Sequence, residues 1–253
     1  MKIFLLILLF VSVGALKAQV NTESLRKDEA GEGFYQIINF KFGLNDGNSE
    51  YLELGAGLRS DYYSGKFYSF LTGNLSYKQG EENTLVSKGF LHLRGIYRFH
   101  DILYSEAFFQ EEFNEFILLI NRELAGAGLR INAISVADTG NPMLDVFTGT
   151  GIMYESEHLN LNPNTVTDII RSTNYLSVDW KSGELLSLQS VTYYQFAFED
   201  LNNYRILNES SFNISLSENF IFNVKFEYRF DNQPPSGLEK YDLSLYNGIT
   251  VKF

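Results

Sequence analysis

The sequence lacks cysteine altogether, and this absence excludes disulfide frameworks, thiolate metal sites and cysteine nucleophiles. Proline is rare, with four residues, and basic residues are outnumbered, since 20 Lys and Arg stand against 31 Asp and Glu. The net charge of −11 leaves no basic surface for a nucleic acid, so nucleic-acid binding is excluded too. Apolar surface is plentiful: 45% of the residues are hydrophobic, and 22 Phe and 16 Tyr make the chain far too apolar to be disordered.

The N-terminus has the pattern of a secretory signal peptide. Lys2 gives a positive start, an apolar run covers residues 3–16, and Ala18 offers a small residue at the cleavage point. The run is shorter than the roughly 20 apolar residues that a membrane-spanning helix needs, and a buried N-terminal helix is the competing interpretation. We therefore predict a signal peptide at residues 1–18 and one exported domain at residues 19–253.

The rest of the chain alternates apolar and polar residues with the period of two that is typical of β-strands. In the clearest example, from Phe220 to Phe230, apolar residues occupy the even positions and polar residues the odd ones, except at Ile221. The runs between turn residues predict about twelve strands, although ten or fourteen would also fit. The predicted strands are 33–42, 50–59, 66–78, 84–99, 102–111, 116–133, 143–154, 169–180, 184–198, 204–216, 220–230 and 241–253.

These runs favour a transmembrane antiparallel up-and-down β-barrel over two soluble alternatives, a lipocalin-like barrel and a β-sandwich. Aromatic residues stand at the ends of apolar rows, as in the girdles that outer-membrane barrels place at the two membrane interfaces. The pairs are Phe220 and Phe230, Tyr241 and Phe253, and Tyr193 and Phe198. Phe253 also ends the chain inside an alternating strand, the usual terminal signal for the outer-membrane assembly machinery. The sequence thus predicts an all-β protein of the cell outer membrane.

The connections between the predicted strands alternate in length. With both termini in the periplasm, the odd-numbered connections are external, and the longest of them lie around Pro163 and Pro234-Pro235. The even-numbered ones are periplasmic and include the shortest turns, 100–101, 181–183 and 217–219. Carboxylates at or near the external connections could be bridged to anionic lipopolysaccharide by divalent cations. These carboxylates are Glu81, Glu82, Glu155, Glu157, Glu199, Asp200 and Asp231.

Two stretches resemble a known family. Residues 104–131, YSEAFFQEEFNEFILLINRELAGAGLRI, resemble the E-x-F-x-Q…F…L…R-x-L-x-G-x-G hallmark of domain-of-unknown-function family 481. Residues 226–253, with Pro234-Pro235-Ser236-Gly237 and a terminal Phe, are similar to the closing hairpin of that family. The family comprises Gram-negative outer-membrane proteins, some of them described as salt-induced. The resemblance implies an outer-membrane β-barrel and brings no established activity or ligand.

The hallmark residues predict a charged network inside the barrel. Glu106 and Gln110 are four residues apart, so they share one face of a strand. If this face points inward, arginines of the next strand meet Glu106 across one hairpin, and glycines leave room for their long side chains. The predicted network comprises Arg94, Glu106, Gln110, Arg122 and Arg130, with backbone clearance at Gly126 and Gly128. Such a mixed-charge wall favours structural cross-bracing, and a substrate or ion path is the alternative.

Catalysis and metal binding have little support in the sequence. The three histidines are His92, His100 and His158, and none has a serine partner that the pattern fixes. The cluster of Glu155, Glu157 and His158 falls in a predicted external loop, where we expect solvated charges rather than a metal site. We therefore expect no enzymatic activity, no catalytic residues, no metal and no cofactor.

Three functions fit these observations. A structural or stress-related barrel with a charged, largely plugged lumen is favoured, because the predicted wall alternates charges of both signs. A narrow pore or transporter for small solutes or ions is the alternative, and a binding surface built from the external loops is the third. The expected partners are outer-membrane lipid, lipopolysaccharide and the barrel-assembly machinery, with divalent cations at the external loops.

Overall fold

The computed structural model describes residues 23, 26, 31–46, 50–80, 84–138, 141–161, 163–217 and 219–251. The predicted signal peptide at 1–18 and the terminal Phe253 lie outside these residues. The described residues form twelve strands and one short 3-10 turn, Glu115–Ile117. The strands are β1 Gly33–Asn45, β2 Tyr51–Ser64, β3 Phe67–Gly80, β4 Thr84–His100, β5 Leu103–Asn114, β6 Leu119–Asp138, β7 Asn141–Leu159, β8 Thr165–Ser182, β9 Leu186–Ala197, β10 Tyr204–Ser217, β11 Phe220–Asp231 and β12 Tyr241–Val251.

The twelve strands make one up-and-down sheet that curls into a barrel. Each strand pairs antiparallel with its neighbours in the sequence, and side chains of distant strands meet in the interior. The Tyr175 hydroxyl on β8, for example, donates a hydrogen bond of 3.1 Å to the Glu106 carboxylate on β5. Among the described residues, no hydrogen-bonded ladder joins β1 to β12, so the barrel has a seam between these two strands.

The two faces of the sheet differ sharply in polarity. Alternation along the strands turns large apolar side chains outward, where Phe40 is 84% and Ile152 is 57% exposed. The opposite face carries charged side chains into the interior, where Arg171 is 1% exposed. Among the described residues, more polar and charged side chains are buried than apolar ones. The barrel is thus apolar outside and charged inside, the reverse of a water-soluble barrel.

The two ends of the barrel have different connections. At one end, which we call the short-turn end, two or three residues join consecutive strands; Gly65 and Gly183 lie there with φ of 57° and 58°, a conformation that favours glycine. At the other, the long-loop end, the connections are 46–50, 81–83, 115–118, 160–164, 198–203 and 232–240. The predicted alternation of short and long connections is confirmed.

Several details of the sequence-based prediction are wrong. The second strand, predicted to end at residue 59, runs to Ser64. The predicted connection at 134–142 is part of two long strands, because β6 continues to Asp138 and β7 begins at Asn141. At its other end β7 runs on to Leu159, so Glu155 and Glu157 belong to a strand and not to an external loop. Tyr193, predicted at a membrane interface, is 7% exposed and points into the lumen.

The described residues contain no helix long and apolar enough to cross a membrane.

Candidate functional site

The lumen holds two clusters of ion pairs. The first, the short-turn cluster, lies nearer the short-turn end and consists of Arg94, Glu106 and Arg130 from the wall and Glu23 and Arg26 from the N-terminal segment. Arg94 donates to both carboxylates, at 2.9 Å to Glu23 and 3.3 Å to Glu106. Arg130 forms an ion pair of 3.1 Å with Glu23, and Arg26 pairs with Glu106. Glu23 and Arg26 therefore lie in the barrel interior.

The second, the long-loop cluster, lies beneath the long-loop end. Its members are Glu112, Arg122, Glu155, Glu157, Arg171, Arg205 and Asp231. Arg205 on β10 reaches across to Glu155 on β7, with its Nη1 at 2.9 and 2.8 Å from the two carboxylate oxygens. The Nε of Arg205 donates to Asp231 at 2.7 Å, while Arg122 pairs with Glu112 at 2.7 Å and also with Glu157. Arg122 and Arg205 each bind at least two carboxylates, Arg171 binds Glu155 at 3.2 Å, and the cluster spans β5 to β11.

An apolar cap covers the long-loop cluster. Ile117, Leu119 and Leu159 are buried together where β5, β6 and β7 end, and Leu161 and Leu238 pack against them from two long loops. The cap depends on a tight turn, because Leu118 adopts φ of 58° and its N–H bonds back to the Glu115 carbonyl. A cavity of 280 Å³ lies between the cap and the ion pairs, and Arg122, Glu157 and Arg205 line it together with the cap residues. The apolar side of this cavity strengthens the electrostatic attraction of the ion pairs and raises the cost of separating them.

Polar and aromatic side chains fill the space between the clusters. His92 lies between the rings of Phe70 and Phe108, and its Nδ1 is 3.1 Å from the Gln110 side-chain oxygen. The Gln110 amide in turn donates to Glu112 at 3.0 Å. Tyr175, Val191, Tyr193 and Leu207 form a buried apolar group on the opposite wall. The middle of the lumen is therefore packed rather than open.

The structure separates the predicted network into two parts. Arg94, Glu106 and Arg130 lie in the short-turn cluster, whereas Arg122 lies in the long-loop cluster and does not meet Glu106. Arg122 pairs with Glu112, which lies six residues after Glu106 on β5. Six residues of a strand span about 20 Å. Gln110 lies between them and touches only the long-loop side through Glu112.

The two hallmark glycines allow close approach inside the wall. A Cβ at Gly126 would stand 2.5 Å from the ring of Phe108 and 2.9 Å from the Ile152 carbonyl. A Cβ at Gly128 would instead meet the backbone of β7, 2.5 Å from the Thr150 carbonyl oxygen. Gly126 thus makes room for the Phe108 ring, whereas Gly128 makes room for a strand. Gly149, which the pattern did not single out, lies against the ring of Tyr175 in the same way.

The sequence also missed several charged residues of the lumen. Glu23 and Arg26 precede the first strand, and their partners lie some 70 to 80 residues away, so no spacing could reveal them. Glu155, Glu157, Arg171 and Arg205, in contrast, carry a signal. Each lies on the inward parity of its strand. This parity is readable for Arg171 and Arg205 within the predicted strands, and for Glu155 and Glu157 once β7 is extended to Leu159.

Cavities also remain beside the packed core. One of 510 Å³ opens at the short-turn end and is lined by Glu23, Arg26, Arg98, Arg130 and Phe147 among others. Another of 470 Å³ lies along β2 to β5 and β10 to β11, with Arg59, Lys88, Glu112, Glu209 and Lys225 in its wall.

Metal ligands and loop carboxylates give no second site. In the described part of the chain, no group of three or more His, Asp or Glu side chains is arranged to hold a metal ion. In the long loops, Gln233 and the Asn202 backbone N–H donate to the Asp200 carboxylate at 2.8 and 3.0 Å and lower the pKa of Asp200 below its usual value. Asp231 and Glu155 are engaged by Arg205. Glu81 and Glu82 lie outside the described residues.

Comparison with known proteins identifies the family. A family model described as "Protein of unknown function, DUF481" matches residues 38–253. The chain belongs to this family. The resemblance seen in residues 104–131 and 226–253 is thereby confirmed. No curated protein matches this DUF481 chain.

Among solved structures, the DUF481 chain is similar to a NanC porin, with a TM-score of 0.46 and 10% identity over 86% of this chain and 99% of the porin. It is also similar to OmpT, an outer membrane protein of Vibrio cholerae, with a TM-score of 0.26 and 11% identity over 85% of this chain and 94% of that one.

Proposed function

We propose that this DUF481 protein is an outer-membrane β-barrel whose lumen is closed at rest, so that it serves as a structural or stress-related barrel and not as an open pore. The supporting observation is the reversed polarity of the sheet. Outward side chains such as Phe40 and Ile152 are more than half exposed, and such a surface would associate in water but is satisfied by lipid. Strands of 11 to 20 residues are long enough to cross a bilayer.

The orientation follows from the connections. The long-loop end faces the outside, in contact with lipopolysaccharide, and the short-turn end faces the periplasm with both chain ends. The signal peptide at 1–18 directs export, and Phe253 serves the barrel-assembly machinery. These assignments rest on the sequence pattern together with the asymmetry of the two barrel ends.

The two clusters of ion pairs support the proposal that the lumen is closed. An open pore needs a continuous water-filled path, usually with charge of one sign along it. Here arginines of both clusters are held by carboxylates from other parts of the chain, as in the 2.8 Å contact of Arg205 with Glu155, and the apolar cap lies above the long-loop cluster. The interior therefore contributes bracing between opposite walls. The proposal includes no catalytic role and no cofactor.

A planar-bilayer experiment tests this proposal. We expect the refolded wild-type barrel to leave the membrane current at its baseline, while an open porin refolded in the same way, as the control, gives step increases. Reproducible single-channel steps from the wild-type protein would contradict a closed lumen. Fractionation of cells that express the full chain tests the location, and recovery of the protein outside the outer membrane would contradict it.

A narrow ion path is the second candidate, and the 470 Å³ cavity favours it. This cavity lies beside the packed core, and its wall carries Glu209 and Lys225, whose charged atoms are 3.8 Å apart. If ions pass here, wild-type steps appear in the bilayer, and Glu209→Lys shifts their selectivity toward anions. If the lumen is closed, the variant changes no current.

A further inference from the structure

Glu23 occupies the lumen as a carboxylate held by three arginines. Its oxygens lie 2.9 Å from Nη1 of Arg94, 3.1 Å from Nη2 of Arg130 and 3.2 Å from Nε of Arg26. The Glu23 side chain is 1% exposed. Arg94 and Arg130 project from β4 and β6. The wall of the barrel therefore provides two of the arginines, and the residues before β1 provide the carboxylate that they bind.

Arg130 depends on Glu23 for its pairing. Glu23 is the one carboxylate within ion-pair distance of Arg130 among the described residues, although Arg130 is only 4% exposed. The Nε of Arg130 has no hydrogen-bond partner, and its guanidinium lies 3.7 Å from the ring centre of Phe147. A buried guanidinium with an unused donor and an aromatic ring beside it suits a carboxylate ligand better than a fixed structural brace.

The cavity beside this arginine carries more basic than acidic groups, in a chain whose net charge is −11. Besides Glu23, its charged wall consists of Arg26, Lys66, Arg98 and Arg130 against Glu32 and Asp179. The cavity measures 510 Å³, enough for a small solute, and opens at the short-turn end. Tyr63 and Tyr68 stack in the same wall with ring centres 4.4 Å apart.

We infer that Arg94 and Arg130 form a binding site for a small carboxylate-bearing solute with a ring-shaped body, and that the carboxylate of Glu23 occupies this site in the unliganded protein. The solute carboxylate replaces that of Glu23 between the two arginines, and its ring lies in the cavity against the aromatic wall. This inference goes beyond the proposed function. It rests on the closed lumen in one respect, namely that Glu23 occupies the short-turn cluster in the unliganded protein.

The test measures binding of benzoate, a ring-bearing carboxylate, to the refolded barrel by titration calorimetry and by the shift of the melting temperature. Glu23→Ala removes the internal competitor, so we expect benzoate to bind this variant at least tenfold more tightly than wild type and to raise its melting temperature. Benzamide has the same shape without the charge, and we expect it to bind neither protein. If Glu23→Ala does not fold, Glu23→Gln, which loses only the charge, replaces it.

Two further variants assign the effect. Adding Arg130→Gln to Glu23→Ala should abolish the gain in benzoate affinity. Glu157→Ala is the matched control. It too removes a carboxylate bound by an arginine, Arg122, but in the long-loop cluster beneath the apolar cap, so it should give no gain in benzoate affinity. Equal benzoate affinity in wild type and Glu23→Ala, binding of benzamide, or a gain that survives Arg130→Gln would overturn the inference. Channel activity of wild type would overturn the closed lumen alone, since binding is measured separately.

Discussion

At the scale of single residues, the buried charges of the lumen are stable only while each keeps its ion-pair partners. Burying a charge is costly, and a buried arginine whose carboxylate is removed keeps that cost without compensation. Arg122 illustrates this, because its Nε is 2.8 Å from Glu157 and its Nη1 is 2.7 Å from Glu112. The loss of stability caused by each substitution therefore depends on which buried charge loses its ion-pair partner.

Glu157→Ala should lower the free energy of unfolding by about 3–5 kcal/mol, because it leaves Arg122 and Arg205 each short of one carboxylate. The double variant Glu157→Ala/Arg122→Ala should cost less than the sum of the two single variants, since the orphaned charge is gone. Urea unfolding in detergent measures all three. Lys41→Ala at the exposed pair with Glu53 is the control and should cost far less. Strict additivity would rule out coupling between the two residues.

Gly126→Ala should destabilise the barrel by about 1–3 kcal/mol, because the new methyl group would overlap the Phe108 ring and the Ile152 carbonyl. Gly248→Ala is the matched control, since nothing lies within 4 Å of a Cβ at that position. Melting temperatures followed by circular dichroism compare the two. Equal stability of both variants would show that Gly126 is dispensable for packing.

At the scale of strands, the sequence predicted all twelve elements, because alternation with a period of two is a local property. Strand ends were predicted less well. Glu155 and Glu157 read as loop charges, since carboxylates after an apolar run normally lie in solvent, yet arginines on β6, β8 and β10 hold them inside. The pairs with Arg122 and Arg171 join neighbouring strands. The pair with Arg205 joins β7 to β10, so it becomes visible only when the sheet curls. Glu23 was hidden because its partners are distant in the sequence. Arg122 and Glu106 are separated by the register of the β5–β6 hairpin, which places Arg122 opposite Glu112 and which alternation alone does not fix.

One pair on the outward face is unfavourable. Glu111 on β5 and Glu123 on β6 stand directly opposite each other near the long-loop end, and like charges at such positions destabilise a sheet. Glu111→Gln should therefore raise the free energy of unfolding by about 0.5 kcal/mol in detergent. In a membrane with lipopolysaccharide, millimolar magnesium should raise the melting temperature of wild type more than that of the variant. A magnesium effect of equal size in both would exclude bridging at this pair.

At the scale of the whole molecule, the barrel should resist detergent until it is heated. Its strands are joined by backbone hydrogen bonds around the sheet, and the two clusters tie opposite walls together. We expect the unboiled protein to migrate differently from the boiled protein on a gel containing dodecyl sulfate. Identical mobility, together with a mainly helical circular dichroism spectrum, would contradict the barrel. Glu157→Ala should lower the temperature at which the mobility changes.

The contact of Arg205 with carboxylates on two other strands has a consequence for the evolution of the family. Arg205 binds Glu155 and Glu157 on β7 and Asp231 on β11, so a neutral residue at 205 would leave three carboxylates undercompensated at once. Viable sequences should then change these four positions together. We expect aligned DUF481 sequences to show co-variation among them. Between position 205 and positions 155 and 157, this co-variation would link β10 to β7, which share no hydrogen-bonded ladder, and would report the curling of the sheet without any structure.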